Sequence, residues 1–195
     1  MGTKKSEQTK INIQKSLMQI LNKKNFLNIT VKEVCGNANM HRTTFYLYYQ
    51  NLDEVLCEVE QNLLDEITEQ SKNINYIIPT FESQNMNMFT HERWEILDYF
   101  KENKEYLIPL LNPHSNLNFI YNYKKTIYSQ IILTLKRINA SYGVYEEYVI
   151  RYLISGIVET LYYWLKNDDL SVEEFTDFLL RFNSMNSFII PEIPS

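Results

Sequence analysis

Residues 29–55 read ITVKEVCGNANMHRTTFYLYYQNLDEV, and the reading of this stretch decides the fold. Thr30 stands before Val31 with Glu33 three residues on, the T-x-x-E pattern in which a hydroxyl and a carboxylate satisfy orphan backbone donors at a helix start. The helix it opens is short and ends near Asn37, because Gly36, Asn37 and Asn39 tolerate the left-handed backbone of a helix terminus. A third helix is predicted from His41 or Arg42 to Tyr49. Asn51 followed by Glu54 then caps a fourth, which carries Val55, Leu56, Val59, Leu63, Leu64 and Ile67 at helical spacing. A short helix, a turn of about four residues and a second short helix is the geometry that offers one helix to a DNA major groove.

The second of these short helices, HRTTFYLYY, is rich in Tyr and Thr and poor in Leu, Glu and Ala, an odd composition for an ordinary surface helix. Arg42 carries a donor fork suited to guanine O6/N7 or to phosphate. Thr43 and Thr44 suit a base edge, a thymine methyl or a phosphate. Phe45 and Tyr49, four apart, face the core, which leaves Tyr46 and Tyr48 off the inner stripe with hydroxyls placed for backbone phosphates.

Outward from this centre the pattern stays helical. Ile13, Leu17, Ile20 and Leu21 build one apolar face over residues 9–24, after a polar start at residues 1–10. Residues 73–90, rich in Asn, Gln and Ser, read as a connection between helices. Thr90 is a candidate cap for a helix through Trp94, Leu97 and Phe100. The piece from Lys104 is kinked or ended by Pro109 and stopped by Asn112 and Pro113. Residues 117–138 form a long run, residues 145–166 are apolar almost all round, and Ser171 with Glu174 caps a last helix through Phe175, Phe178, Leu179 and Phe182. No period-2 pattern is long enough for a sheet. The expected fold is all-α, with a three-helix DNA-binding domain over residues 1–51 and a helical effector-binding and dimerisation domain over 52–195.

Composition narrows the chemistry. Four Gly and five Pro among 195 residues is well below the roughly 12% of ordinary usage, and the four glycines, at 2, 36, 143 and 156, leave no GxGxxG, P-loop or GxSxG motif. Two cysteines, Cys35 and Cys57, are too few for a disulfide framework and fit a reducing compartment. No signal peptide is expected, and the most membrane-like stretch, 148–165, is short and carries Arg151 and Glu159. Residues 1–50 hold eight Lys/Arg against two acids; residues 51–195 hold eleven against twenty-two, within a net charge of −5. A basic head on an acidic body fits a polyanion partner for the head, or simply a solvated lysine face.

Residues 29–55 resemble the DNA-binding region of TetR/AcrR-type transcriptional regulators, closely over about 9–56 and by helix layout beyond. The resemblance implies that Thr30 starts the second helix and touches phosphate, that Arg42, Thr43 and Thr44 read bases and backbone, that Tyr46 contacts phosphate, and that Phe45 and Tyr49 are core. Three positions depart from it. Asn39 stands for the usual turn glycine, His41 for a small N-cap residue and so within reach of a phosphate or base, and Leu52 for a phosphate-binding lysine. Lys4, Lys5 and Lys10 are candidates to restore that charge from an N-terminal arm. The resemblance also implies a helical body that binds a small molecule and dimerises through its last two long helices. A helix apolar on every side needs cover from a second surface too, and Gly156, Trp164, Phe175 and Phe178 are placed at that contact.

Candidate residues for an effector pocket are Trp94, Tyr99, Phe100, Phe119, Tyr123 and Tyr128, although aromatic stripes of this kind are commonly core. His91, Glu92 and Glu95 make only a broken HExxH, and no metal is expected there. Cys35 and Cys57 read as ordinary thiols, with redox sensing as the sharper alternative. Arg151 and Glu159 need a partner within an apolar helix, most simply across a dimer. No acid/base or nucleophile constellation is present, so no enzyme and no cofactor are expected. The expected protein is a cytoplasmic homodimeric regulator, a repressor released from a palindromic double-stranded DNA operator by a small-molecule effector. The alternative is a DNA-binding regulator governed by a protein partner.

Overall fold

A computed structural model describes residues 2–71, 91–112, 117–137, 139 and 141–186. Among them run α1 (Gly2–Leu21), α2 (Val31–Asn37), α3 (Arg42–Phe45), α4 (Leu52–Ser71), α5 (His91–Glu102), α6 (Lys104–Leu111), α7 (Leu117–Arg137), α8 (Glu146–Asn167) and α9 (Val172–Asn186), with 3-10 turns at Phe26–Asn28 and Gly143–Tyr145. No described residue is in a strand, and no described helix is long and apolar enough to cross a membrane. The expected connection over 73–90, the Thr90 cap, Pro113 and the tail beyond Asn186 lie outside the described residues. Among the described residues the fold is all-α.

The chain forms two compact units, Met1–Glu66 with Asn103–Tyr121, and Ile67–Glu102 with Asn122–Ser195. In the first, α1 packs on α2 and α6, and α2 on α3. Ile13, Leu17, Met18 and Leu21 bury the apolar face of α1, and Leu107, Leu110 and Leu111 bury that of α6. Lys15 Nζ meets Glu105 Oε1 at 2.6 Å between the same two helices. Ser16 Oγ donates to the Val34 carbonyl (2.8 Å), and Asn37 Nδ2 donates to Ser16 Oγ (3.1 Å) and Gln19 Oε1 (2.8 Å). The polar end of α2 is thereby fixed to α1.

In the second unit α5 packs on α9, and the turn between α8 and α9 is the knot. Trp164 and Phe175 stack in parallel with centroids 4.3 Å apart, both nearly sealed from solvent. Trp164 Nε1 donates to the Leu170 carbonyl (3.0 Å), which also receives Lys101 Nζ (3.3 Å). Lys101 lies over the Trp164 ring and pairs with Asp168, whose φ of 57° ends α8 in the left-handed conformation. Ser171 and Glu174 exchange hydrogen bonds at the start of α9, as the sequence predicts.

Several elements differ from expectation. α1 begins at Gly2, so residues 2–10 are helical rather than an arm apart from the helix; nothing after Gly2 breaks a helix, and Thr9 Oγ1 donates to the Lys5 carbonyl. α3 spans only Arg42–Phe45 before tighter turns take over, in keeping with the weak helix propensity of consecutive Thr and aromatic residues. Pro109 sits inside α6 and does not stop it. Arg151 and Glu159 are exposed, and Arg151 pairs with Glu147 one turn back at 2.6 Å, so neither stands in apolar surroundings.

Trp164→Ala removes the centre of the α8–α9 knot. It is expected to lower the unfolding free energy by about 3–5 kcal/mol, read as a fall in the urea midpoint at unchanged slope. A loss below about 1 kcal/mol would show that the stack is peripheral.

Candidate nucleic-acid interface

Thr30 and Glu33 form the complete capping box. The Glu33 amide donates to Thr30 Oγ1 (3.3 Å), while the Thr30 amide (2.9 Å) and hydroxyl (2.8 Å) both donate to Glu33 Oε2. Lys24 Nζ closes the other carboxylate oxygen at 2.5 Å. The lysine first, then the threonine, hold the Glu33 carboxyl down at about 2, against the usual 4.5. After α2 the chain turns through Asn39 at φ 50°, the left-handed position that asparagine tolerates better than other non-glycine residues. His41 is the N-cap of α3, but its side chain makes no cap hydrogen bond, and it is exposed.

A four-residue helix is too short to hold its own shape, and the α3 segment is held from inside. Phe45 is 0% exposed and packs edge-on against Tyr46 and tilted against Tyr49. The Tyr49 hydroxyl accepts from Gln14 Nε2 (3.0 Å) on α1, and Lys10 lies 5.2 Å from its ring centre. Burial pushes that hydroxyl up to about 12, so it stays a neutral phenol. Lys10 Nζ donates to both oxygens of Glu58 on α4 at 3.0 Å, and Gln14 reaches Glu58 Oε1 at 3.4 Å. Lys10 is therefore engaged in this network rather than standing free.

The sequence-predicted residues differ in exposure. His41, Arg42, Thr43 and Tyr46 are exposed, Thr44 and Tyr48 are half-buried, and Thr30 is exposed at the start of α2. Lys5 is exposed on α1, and the side chain of Lys4 lies outside the described residues. Two features escape a reading of the sequence. Lys32 is exposed beside Thr30, a cation legible only as an off-stripe position on a seven-residue helix. Leu52 is 8% exposed and belongs to the core, so the position where the family resemblance expects a phosphate-binding lysine faces inward.

The other candidates divide. Tyr99, Phe100 and Tyr123 adjoin in the second unit, Phe100 and Tyr123 edge to face at 6.3 Å. Tyr128, half-buried, donates to Glu147 Oε2 at 3.0 Å. Phe119 is sealed in the first unit, and the side chains of Trp94, His91, Glu92 and Glu95 lie outside the described residues. Of the residues placed at a dimer contact, Gly156 and Phe178 are exposed, whereas Trp164 and Phe175 face their own core. Tyr148, Tyr152 and Tyr163 of α8 and Phe182 of α9 are exposed as well. Cys35 is a buried free thiol, pushed up by that burial, and Cys57 is an exposed one.

Two short helices around a left-handed turn, with Arg42, Thr43 and Tyr46 outward and Phe45 inward, have the layout of a helix-turn-helix. Residues 94–184 match the TetR_C_8 family, described as a transcriptional regulator C-terminal region. No curated protein matches the chain. Among solved structures it is similar to a TetR transcriptional regulator from Streptococcus agalactiae 2603V, with TM-score 0.61 and 23% identity over 93% of this chain and 97% of that one. It is also similar to the dihydroxyacetone kinase operon activator DhaS, with TM-score 0.54 and 19% identity over the same shares. Residues 94–184 thus resemble the C-terminal region of TetR-type transcriptional regulators, and the fold of the chain is that of TetR regulators.

The capping box gives a pH prediction. Because the Glu33 carboxyl is depressed in the folded chain, its support for α2 is present above about pH 4.5 and is lost as pH falls through about 2. A side-chain NMR titration is expected to place the Glu33 midpoint near 2 and to move it upward in Lys24→Met. A midpoint at 4.5 in the unaltered protein would contradict this.

Proposed function

We propose that the protein is a cytoplasmic homodimer that binds a palindromic DNA operator through α3 and represses transcription until a small molecule in its body releases it. Residues 1–51 read DNA in this account, and residues 52–195 bind the effector and dimerise. The observation that carries the reading is the contrast across α3: Phe45 and Tyr49 sealed inside, and Arg42, Thr43 and Tyr46 outside. That arrangement leaves the polar side chains free for base edges and phosphates. Thr30 and His41 flank the same surface from α2 and the turn.

The exposed tyrosines of α8 favour a partner on that helix. Tyr148, Tyr152 and Tyr163 leave large rings in water on the side opposite Ile150, Ile154 and Leu161, and a second copy of α8 and α9 is the simplest cover. Gly156 lies among them, and a Cβ built there meets nothing within 4 Å in its own chain. The aromatic group of Tyr99, Phe100 and Tyr123 is the proposed start of an effector site, with Trp94, Phe119 and Tyr128 as further candidates. Repression is the sign that simple occupancy of an operator gives. One protein of similar fold is an operon activator, so a reporter assay is the arbiter of that sign.

Selection from random duplexes by the intact protein is expected to enrich a palindrome with half-sites about one helical turn apart. Arg42→Ala should then cost about 1–3 kcal/mol and relax one base pair per half-site, whereas Tyr46→Phe should weaken all sequences alike. Absence of any enriched palindrome at moderate salt would overturn the DNA reading. Gly156→Leu, harmless to the isolated chain, should shift sedimentation toward monomer; an unchanged dimer would remove α8 from the contact. Compounds that raise the melting temperature should lower operator affinity, with a coupling of about 1–3 kcal/mol that is equal in both directions. If every stabilising compound leaves operator affinity unchanged, control passes to the protein-partner alternative.

A further inference from the structure

Leu47 is the most exposed residue of the recognition segment to which sequence reasoning gives no role, with 80% of its surface in water. The backbone keeps a helical path past the end of α3. The Leu47 amide donates to the Thr44 carbonyl (3.2 Å), that of Tyr48 to Phe45 (2.9 Å) and that of Tyr49 to Phe45 (3.1 Å). Burial along this path fixes the side-chain directions. Phe45 and Tyr49 fix the inner side, and Thr43 and Leu47, four residues apart, share the side opposite. Arg42 and Tyr46 flank that ridge on one edge, Thr44 and Tyr48 on the other. Leu47 thus stands in the middle of the surface that the proposed function turns toward DNA.

A leucine there offers neither donor nor acceptor, so phosphates and polar base edges give it nothing. The apolar feature of the major groove is the thymine C5-methyl. We infer that Leu47, with the methyl of Thr43 beside it, reads a thymine methyl in each half-site and so selects the base pair next to the one met by Arg42. This rests on the DNA reading proposed above. Charge elsewhere strengthens the argument: Lys10, Lys15 and Lys24 are held by Glu58, Glu105 and Glu33, and Leu52 faces the core. With those cations engaged in ion pairs within the chain, apolar contact adds to what Arg42 supplies on this face.

The test uses the duplex enriched from a random library by the intact protein, with each thymine replaced singly by deoxyuridine, which deletes only the methyl. One thymine per half-site is expected to show about fourfold weaker binding on replacement, the value of one buried methyl group. Leu47→Ala should bind the thymine and deoxyuridine duplexes equally and lose the preference for thymine over cytosine at that pair, while Leu47→Met keeps both. Circular dichroism of Leu47→Ala should match the parent, since the side chain lies outside the core. Equal binding of every deoxyuridine duplex by the unaltered protein, or sensitivity that persists in Leu47→Ala, would overturn the inference while leaving helix-turn-helix binding intact. If the library yields no enriched duplex, the DNA reading itself fails, and this inference with it.

Discussion

Everything on the α3 surface depends on anchoring a segment that cannot be a stable helix by itself. Four residues of helix close few internal hydrogen bonds, and two consecutive threonines with three tyrosines nearby favour other conformations. The anchor is the Phe45 and Tyr49 pair, one ring buried completely and the other held at both its face and its hydroxyl. Once these two are fixed, the directions of Arg42, Thr43, Tyr46 and Leu47 follow. The surface is thus positioned by side chains that face away from it.

The groups that hold Tyr49 belong to α1 and α4, and their shared acceptor is Glu58. A lysine, a glutamine and a glutamate from two helices converge on one phenol, each half-buried or less, so no single ion pair carries much energy by itself. Their value is directional: they fix the angle of a ring whose backbone continues the recognition segment. α4 is also one continuous helix across the boundary between the two compact units, which divides between Glu66 and Ile67. Any event that displaces Glu58 acts on Tyr49 through the chemistry already present.

The parts of this arrangement that are legible in the sequence are those set by neighbours in the chain. Thr30 with Glu33, Ser171 with Glu174 and Asn51 with Glu54 are caps whose partners lie three residues apart, and each forms as the spacing predicts. Asn39 takes the left-handed turn for the same local reason. What the sequence does not disclose depends on distant partners. Lys10 reads as a free cation because Glu58 is 48 residues away, and Leu52 reads as a lost phosphate contact because its burial is a property of packing. The paired aromatics Trp164 and Phe175 are legible as apolar but not as inward, since periodicity on an apolar helix does not say which side meets its own chain. The polar residues of α3 fall outside the Phe45–Tyr49 stripe as a group, as their spacing predicts, although the helix that carries them is half the expected length.

The central claim is that recognition segments held in this way act as a two-fold pair. Sedimentation equilibrium of the protein with an enriched palindromic duplex, and with the same duplex cut to one half-site, tests it most directly. The account predicts two chains on the full site and binding to the half-site weaker by orders of magnitude. One chain on each duplex, bound with equal affinity, would contradict it.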